Sequence, residues 1–83
     1  MLTDTPNYPG LQKVYFNAGQ QKKIQRDLQI FTALSHGATI PETAEVHGIS
    51  PRTVEAILVN WRKRLELPTA TSLIAYLIRN GHI

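Results

Sequence analysis

The chain has 83 residues, with nine Lys and Arg against six Asp and Glu, a formal net charge of +3 and a pI near 9.6. That length holds one small domain and excludes a catalytic core joined to a separate regulatory domain. A hydrophobic content of 42% and the absence of cysteine exclude whole-chain disorder, a disulfide scaffold and thiolate-bound zinc, so helix packing alone must hold the fold.

The first 18 residues carry Pro6, Pro9, Gly10 and three of the six aromatics, Tyr8, Tyr15 and Phe16. Proline and glycine interrupt regular structure, so residues 1–18 are expected to form an irregular N-terminal arm and 19–83 the folded domain. Within the arm, "LQKVYF" can be a short strand or an anchor onto the helices. A lone strand has no partner here, which favours the anchor. "MLTDTPNYPG" lacks the basic start and apolar run of a signal peptide, and no stretch approaches the roughly 20 apolar residues that span a bilayer. With no cysteine, a cytoplasmic location without membrane contact is the expectation.

From about Gln20 to His36 the pattern is helical. Ile24, Leu28, Phe31 and Leu34 recur at three- and four-residue spacing as one apolar stripe, with Lys22, Lys23 and Arg26 off it. Gly37 stands where a left-handed cap ends a helix. "TIPE" (39–42) has the spacing of a capping box, with Pro41 in the first turn, and starts a short helix that stops at Gly48. "GIS" then makes a tight turn, with Ile49 directed inward, Ser50 as N-cap and Pro51 in the first helical position. A third helix over about 51–66 places Val54, Ile57, Leu58, Trp61 and Leu65 on one side, at about 100° per residue. Arg52, Ala56, Val59 and Lys63 point the opposite way, flanked by Glu55 and Asn60. After Pro68 a last helix, about 70–79, closes at Gly81. The fold class expected is all-α: a small four-helix domain containing a helix-turn-helix.

These pieces resemble the LuxR/FixJ-type (GerE-type) DNA-binding domain over about residues 24–83. The resemblance rests on "HG" closing the first helix, "ETAEVHGIS" through the turn, "TV" at 53–54, and Leu65 seven residues after Leu58. The closing "LPTATSLIAYLIRNGHI" is similar to the last helix of that family and its terminal Gly-x-Ile; the helix-turn-helix alone also fits region 4 of sigma factors. The resemblance implies a bacterial transcription regulator whose third helix enters the major groove and whose fourth helix pairs two subunits. It also implies a domain that usually follows a receiver or ligand-binding domain, although small free-standing members occur. The chain departs from the family on the reading face. Glu55 stands where a lysine is usual, Ile57 and Leu58 where a histidine and often a basic residue follow, and Val59 where another basic residue is common. Thr43 and His47 replace inward isoleucine and leucine in the second helix.

DNA affinity comes mainly from neutralised phosphates, and sequence is read by a few side chains at base edges. Arg52, Thr53, Arg62, Lys63 and Arg64 are the phosphate candidates, joined by Ser50 and the N–H groups that start the third helix. Arg62, Lys63 and Arg64 have an alternative role as cations suited to a helix C-terminus. Base reading falls to Glu55, Ala56, Val59 and Asn60: glutamate can accept from cytosine N4, alanine and valine can touch a thymine methyl, and asparagine can pair with adenine. Glu55 is equally an exposed helix residue near Arg52. Val59 is equally part of a patch for a protein partner.

On the last helix, Leu73, Tyr76 and Leu77 form one face and Ile74 and Ile78 a second. A homodimer contact through Ile74 and Ile78 is one reading of the second face, and a cover by Tyr15 and Phe16 of the arm is the other. His36, His47 and His82 are too far apart for a local metal motif, and no phosphate loop or nucleophile elbow appears, so neither a cofactor nor an enzyme is expected. Two functions follow. The first is a dimeric regulator binding double-stranded DNA. The alternative is a helix-turn-helix scaffold whose third helix docks a protein, such as RNA polymerase.

Overall fold

The computed structural model describes residues 21–83, so the arm expected over 1–18, and with it the part given to Tyr15 and Phe16, lies outside the described residues. The described residues form four helices and no strand: α1 (Gln21–Ser35), α2 (Ile40–His47), α3 (Pro51–Leu65) and α4 (Ala70–Arg79). The protein is thus an all-α domain built around a helix-turn-helix, α2 and α3, with Gly48, Ile49 and Ser50 as the turn.

Local chemistry sets most of the boundaries. The Thr39 hydroxyl accepts from the Glu42 backbone N–H at 3.2 Å, and the Glu42 carboxylate accepts from Thr39 N–H at 2.9 Å, which closes the capping box at the head of α2. Ser50 caps α3 by accepting from Thr53 N–H at 3.1 Å, with Pro51 where the missing N–H costs nothing. A second reciprocal box, Thr69 with Ser72, opens α4. The turn after α2 needs a left-handed residue, and Gly48 supplies it at φ 68° with no Cβ to strain. Ile49 N–H then bonds back to the Ala44 carbonyl at 3.0 Å, which folds Ile49 onto the core.

The end of α3 is the exception. It stops at Leu65, and Glu66 takes the left-handed conformation (φ 58°) that glycine serves after the other helices. Leu67 N–H reaches the Arg62 carbonyl at 2.8 Å and Leu67 packs on the core, so hydrophobic contact fixes this turn despite the strain on a residue with a Cβ.

The core takes Ile24, Leu28, Ile30 and Phe31 from α1, Ala44 from α2, Val54, Ile57, Leu58 and Trp61 from α3, and Leu73 and Leu77 from α4. All four expected α3 core residues up to Trp61 are buried, and Leu65 is half-buried against them. Trp61 is the centre: Phe31 meets its ring edge-on at a centroid distance of 5.1 Å and an interplanar angle of 81°. Asp27, fully buried on α1, accepts from the Trp61 indole N–H at 2.8 Å and pairs with the Arg26 guanidinium at 2.8 Å. The buried arc of α1 is wider than its apolar stripe, because Ile30 is buried at its edge, and Asp27 is buried within the stripe itself.

Candidate nucleic-acid interface

The same helical phase that buries Val54, Ile57, Leu58 and Trp61 must turn the opposite side of α3 to solvent. Arg52, Glu55, Ala56, Val59, Asn60 and Lys63 are all exposed and line one open, shallow depression. Among the described residues Val59, 46% exposed, is one of three large apolar side chains left in solvent, with Val46 on α2 and Ile78 on α4. The ion pair present among the described residues is Arg26 with Asp27, and Arg52, Glu55 and Lys63 make none among them. Among the described residues this face is left to solvent.

The head of α3 is held ready. The Ser50 hydroxyl, already accepting from Thr53 N–H, lies 2.9 Å from the Thr53 hydroxyl, so the two expected contacts form one hydrogen-bonded pair at an exposed helix N-terminus. With the Ser50 hydroxyl donating to the Thr53 oxygen, the Thr53 hydroxyl can donate outward.

The three basic residues of the last turn separate. Lys63 sits on the outward stripe with Arg52. Arg64 is exposed but turned about 100° further round the helix. Arg62 is half-buried, and its guanidinium donates to the Pro68 carbonyl, the residue before the N-cap of α4. The Arg62 Nε is buried without a hydrogen-bond partner, and the bond to Pro68 holds the side chain at the α3–α4 junction. Sequence spacing groups Arg62 with Lys63; the carbonyl of Pro68, six residues on, separates them.

No family model, no curated protein and no solved structure matches the chain. The chemistry of the site therefore stands on its own geometry.

On α4, Leu73 and Leu77 are fully buried and Tyr76 is half-buried. Ile74 is half-buried and packs against the domain's own core, whereas Ile78 is 53% exposed. Residues missed by sequence reasoning were Asp27 and Ile30; Thr43, expected in place of an inward isoleucine, is buried. Asp27 could have been flagged as an acidic residue inside the apolar stripe of α1, one turn before Phe31. Among the described residues no three His, Asp or Glu side chains gather as metal ligands, and no helix is long and apolar enough to cross a membrane.

Proposed function

We propose that this chain is a DNA-binding transcription regulator of LuxR type, dimeric through α4 and acting in the bacterial cytoplasm, with α3 lying in the major groove of double-stranded DNA. The observation that carries this reading is the outward face of α3. It is presented by a helix-turn-helix, ends in Arg52 and Lys63, and is left to solvent among the described residues. An α-helix fits the major groove, and cations at both ends of its exposed stripe suit the phosphate walls. Glu55, Ala56, Val59 and Asn60 then face base edges, with Ser50, Thr53 and Arg64 at the flanking backbone and Arg62 holding the helix end.

Fluorescence anisotropy of a random-sequence duplex, titrated between about 50 and 200 mM salt, tests this directly. Micromolar or tighter binding that weakens steeply with salt is the expected result. Lys63→Ala should lower the slope of log K against log salt by about 1, and Arg62→Ala should leave the slope unchanged. Absence of binding at the lowest salt overturns the proposal.

A second reading draws on Val59 and Glu55. An apolar residue beside an acidic one, at the middle of an exposed helix face, suits a protein partner with an apolar pocket and a cation. In that case the Lys63→Ala chain would bind its partner as before.

A further inference from the structure

The outward stripe of α3 runs Arg52, Ala56, Val59, Lys63, at spacings of four, three and four residues. Those spacings put all four on one line along the helix. The two cations stand eleven residues apart, about 16 Å at 1.5 Å per residue, against a major groove about 12 Å wide. Long flexible side chains at both ends therefore reach the two phosphate walls. Between them stand only a methyl and an isopropyl group, and Val59 has close to half its surface open. Short side chains at the centre let the helix axis sink towards the groove floor. What they meet there must be apolar for the contact to be favourable, because neither can satisfy a base donor or acceptor, and a polar base edge covered by them loses its water without return.

The apolar group that a major-groove floor offers is the C5-methyl of a pyrimidine. We propose that α3 reads C5-methyl groups, with Val59 and Ala56 as the specificity-determining contacts and Arg52 and Lys63 as the clamps that bring them to the floor. Glu55 belongs to the same scheme. Its carboxylate repels phosphate, so it tolerates the groove only opposite an exocyclic amino donor, as on cytosine N4. The half-site it implies pairs methyl-bearing positions with a neighbouring cytosine. The inference rests on the DNA-binding reading above, and its own test separates the two.

Random-core duplexes are selected with the full chain, and the most enriched duplex is rebuilt in three forms: unchanged, with uracil for each thymine, and with 5-methylcytosine for each cytosine. Uracil differs from thymine only by the missing methyl. Each contacted methyl is expected to be worth about fourfold in Kd, the factor for one buried CH₂ group. Val59→Ala, an exposed change that circular dichroism should show to be folded, is expected to erase most of that difference. A Val59-dependent gain on cytosine methylation, without loss on uracil substitution, supports methyl reading and assigns the methyl to modified cytosine. Duplex binding that enriches no sequence, or that ignores both substitutions, overturns methyl reading and leaves the DNA-binding proposal standing. No duplex binding at about 50 mM salt overturns both.

Discussion

Among the described residues Thr43 and Asp27 are the buried polar side chains, and they differ in what surrounds them. The Thr43 hydroxyl, on the inward face of α2, has no hydrogen-bond partner. A buried hydroxyl without a partner forfeits its water for nothing, at a cost of about 1–3 kcal/mol. Valine has the same shape, so Thr43→Val should stabilise the domain by about 1 kcal/mol, read as a higher urea midpoint at unchanged slope. A lower midpoint would show that the hydroxyl has a partner in solution. Asp27 is the opposite case: its carboxylate joins Arg26 on its own helix to Trp61 on α3. Asp27→Ala removes the acceptor of the Trp61 indole N–H and strands the Arg26 charge at the core edge. The expected loss is about 2–3 kcal/mol, measured by the same unfolding titration. The sequence shows why Asp27 was not foreseen, and why the inward Thr43 gave no sign of its unpaired hydroxyl. Asp27 reads as one more charge near Lys22, Lys23 and Arg26, and its partner Trp61 lies 34 residues away. Thr43 is conspicuous only by comparison with the family pattern, and its lack of a partner depends on helices that spacing does not locate.

At the scale of the element, the caps were the most legible part of the chain. Thr39 with Glu42, Ser50 with Pro51, and Gly37, Gly48 and Gly81 act on backbone groups within three or four residues, so their identity and spacing carry the whole mechanism. Where a cap departs from the preferred residues, legibility falls: Ser72 completes the box at α4 in place of Glu or Gln, and Glu66 turns left-handed in place of glycine. The capping box of α2 also makes a pH prediction. Hydrogen bonds from Thr39 to the Glu42 carboxylate, the backbone N–H first and the side chain second, hold its pKa below the ordinary value for glutamate. A carboxyl with a depressed folded pKa stabilises the domain fully above its ordinary pKa and loses that contribution as pH falls through the folded one. Glutamine keeps an acceptor but not the charge, so Glu42→Gln should melt below the native protein at about pH 7. The two melting temperatures should converge at about pH 2, where Glu42 is protonated in both states. A gap that persists there would assign the effect to packing.

At the scale of the molecule, α4 is where the fold and the proposed function meet. Leu73 and Leu77 bind it to the core, Ile74 packs against the same core, and Arg62 bonds α3 to the turn that starts it. The orientation of α4 is therefore fixed to that of α3, which a dimer needs if two α3 helices are to meet half-sites about one DNA turn apart. Ile78 is the apolar residue of α4 left in solvent, 53% exposed, one turn after Ile74. A two-fold contact places Ile78 of one protomer near its copy, with the open part of Ile74 beside it. Ile78→Glu tests this without touching the core: in a self-complementary contact it sets two carboxylates against each other in an apolar setting. The expected outcome is a folded monomer by sedimentation, with binding to a two-half-site duplex weakened at least about tenfold and binding to a single half-site unchanged, because linkage between two weak contacts is lost while each contact survives. A variant that stays dimeric would move the interface off α4. A native chain that is monomeric at all concentrations and on DNA would leave the rigid coupling of α3 to α4 as a feature of the domain alone, with one half-site as the whole of its target.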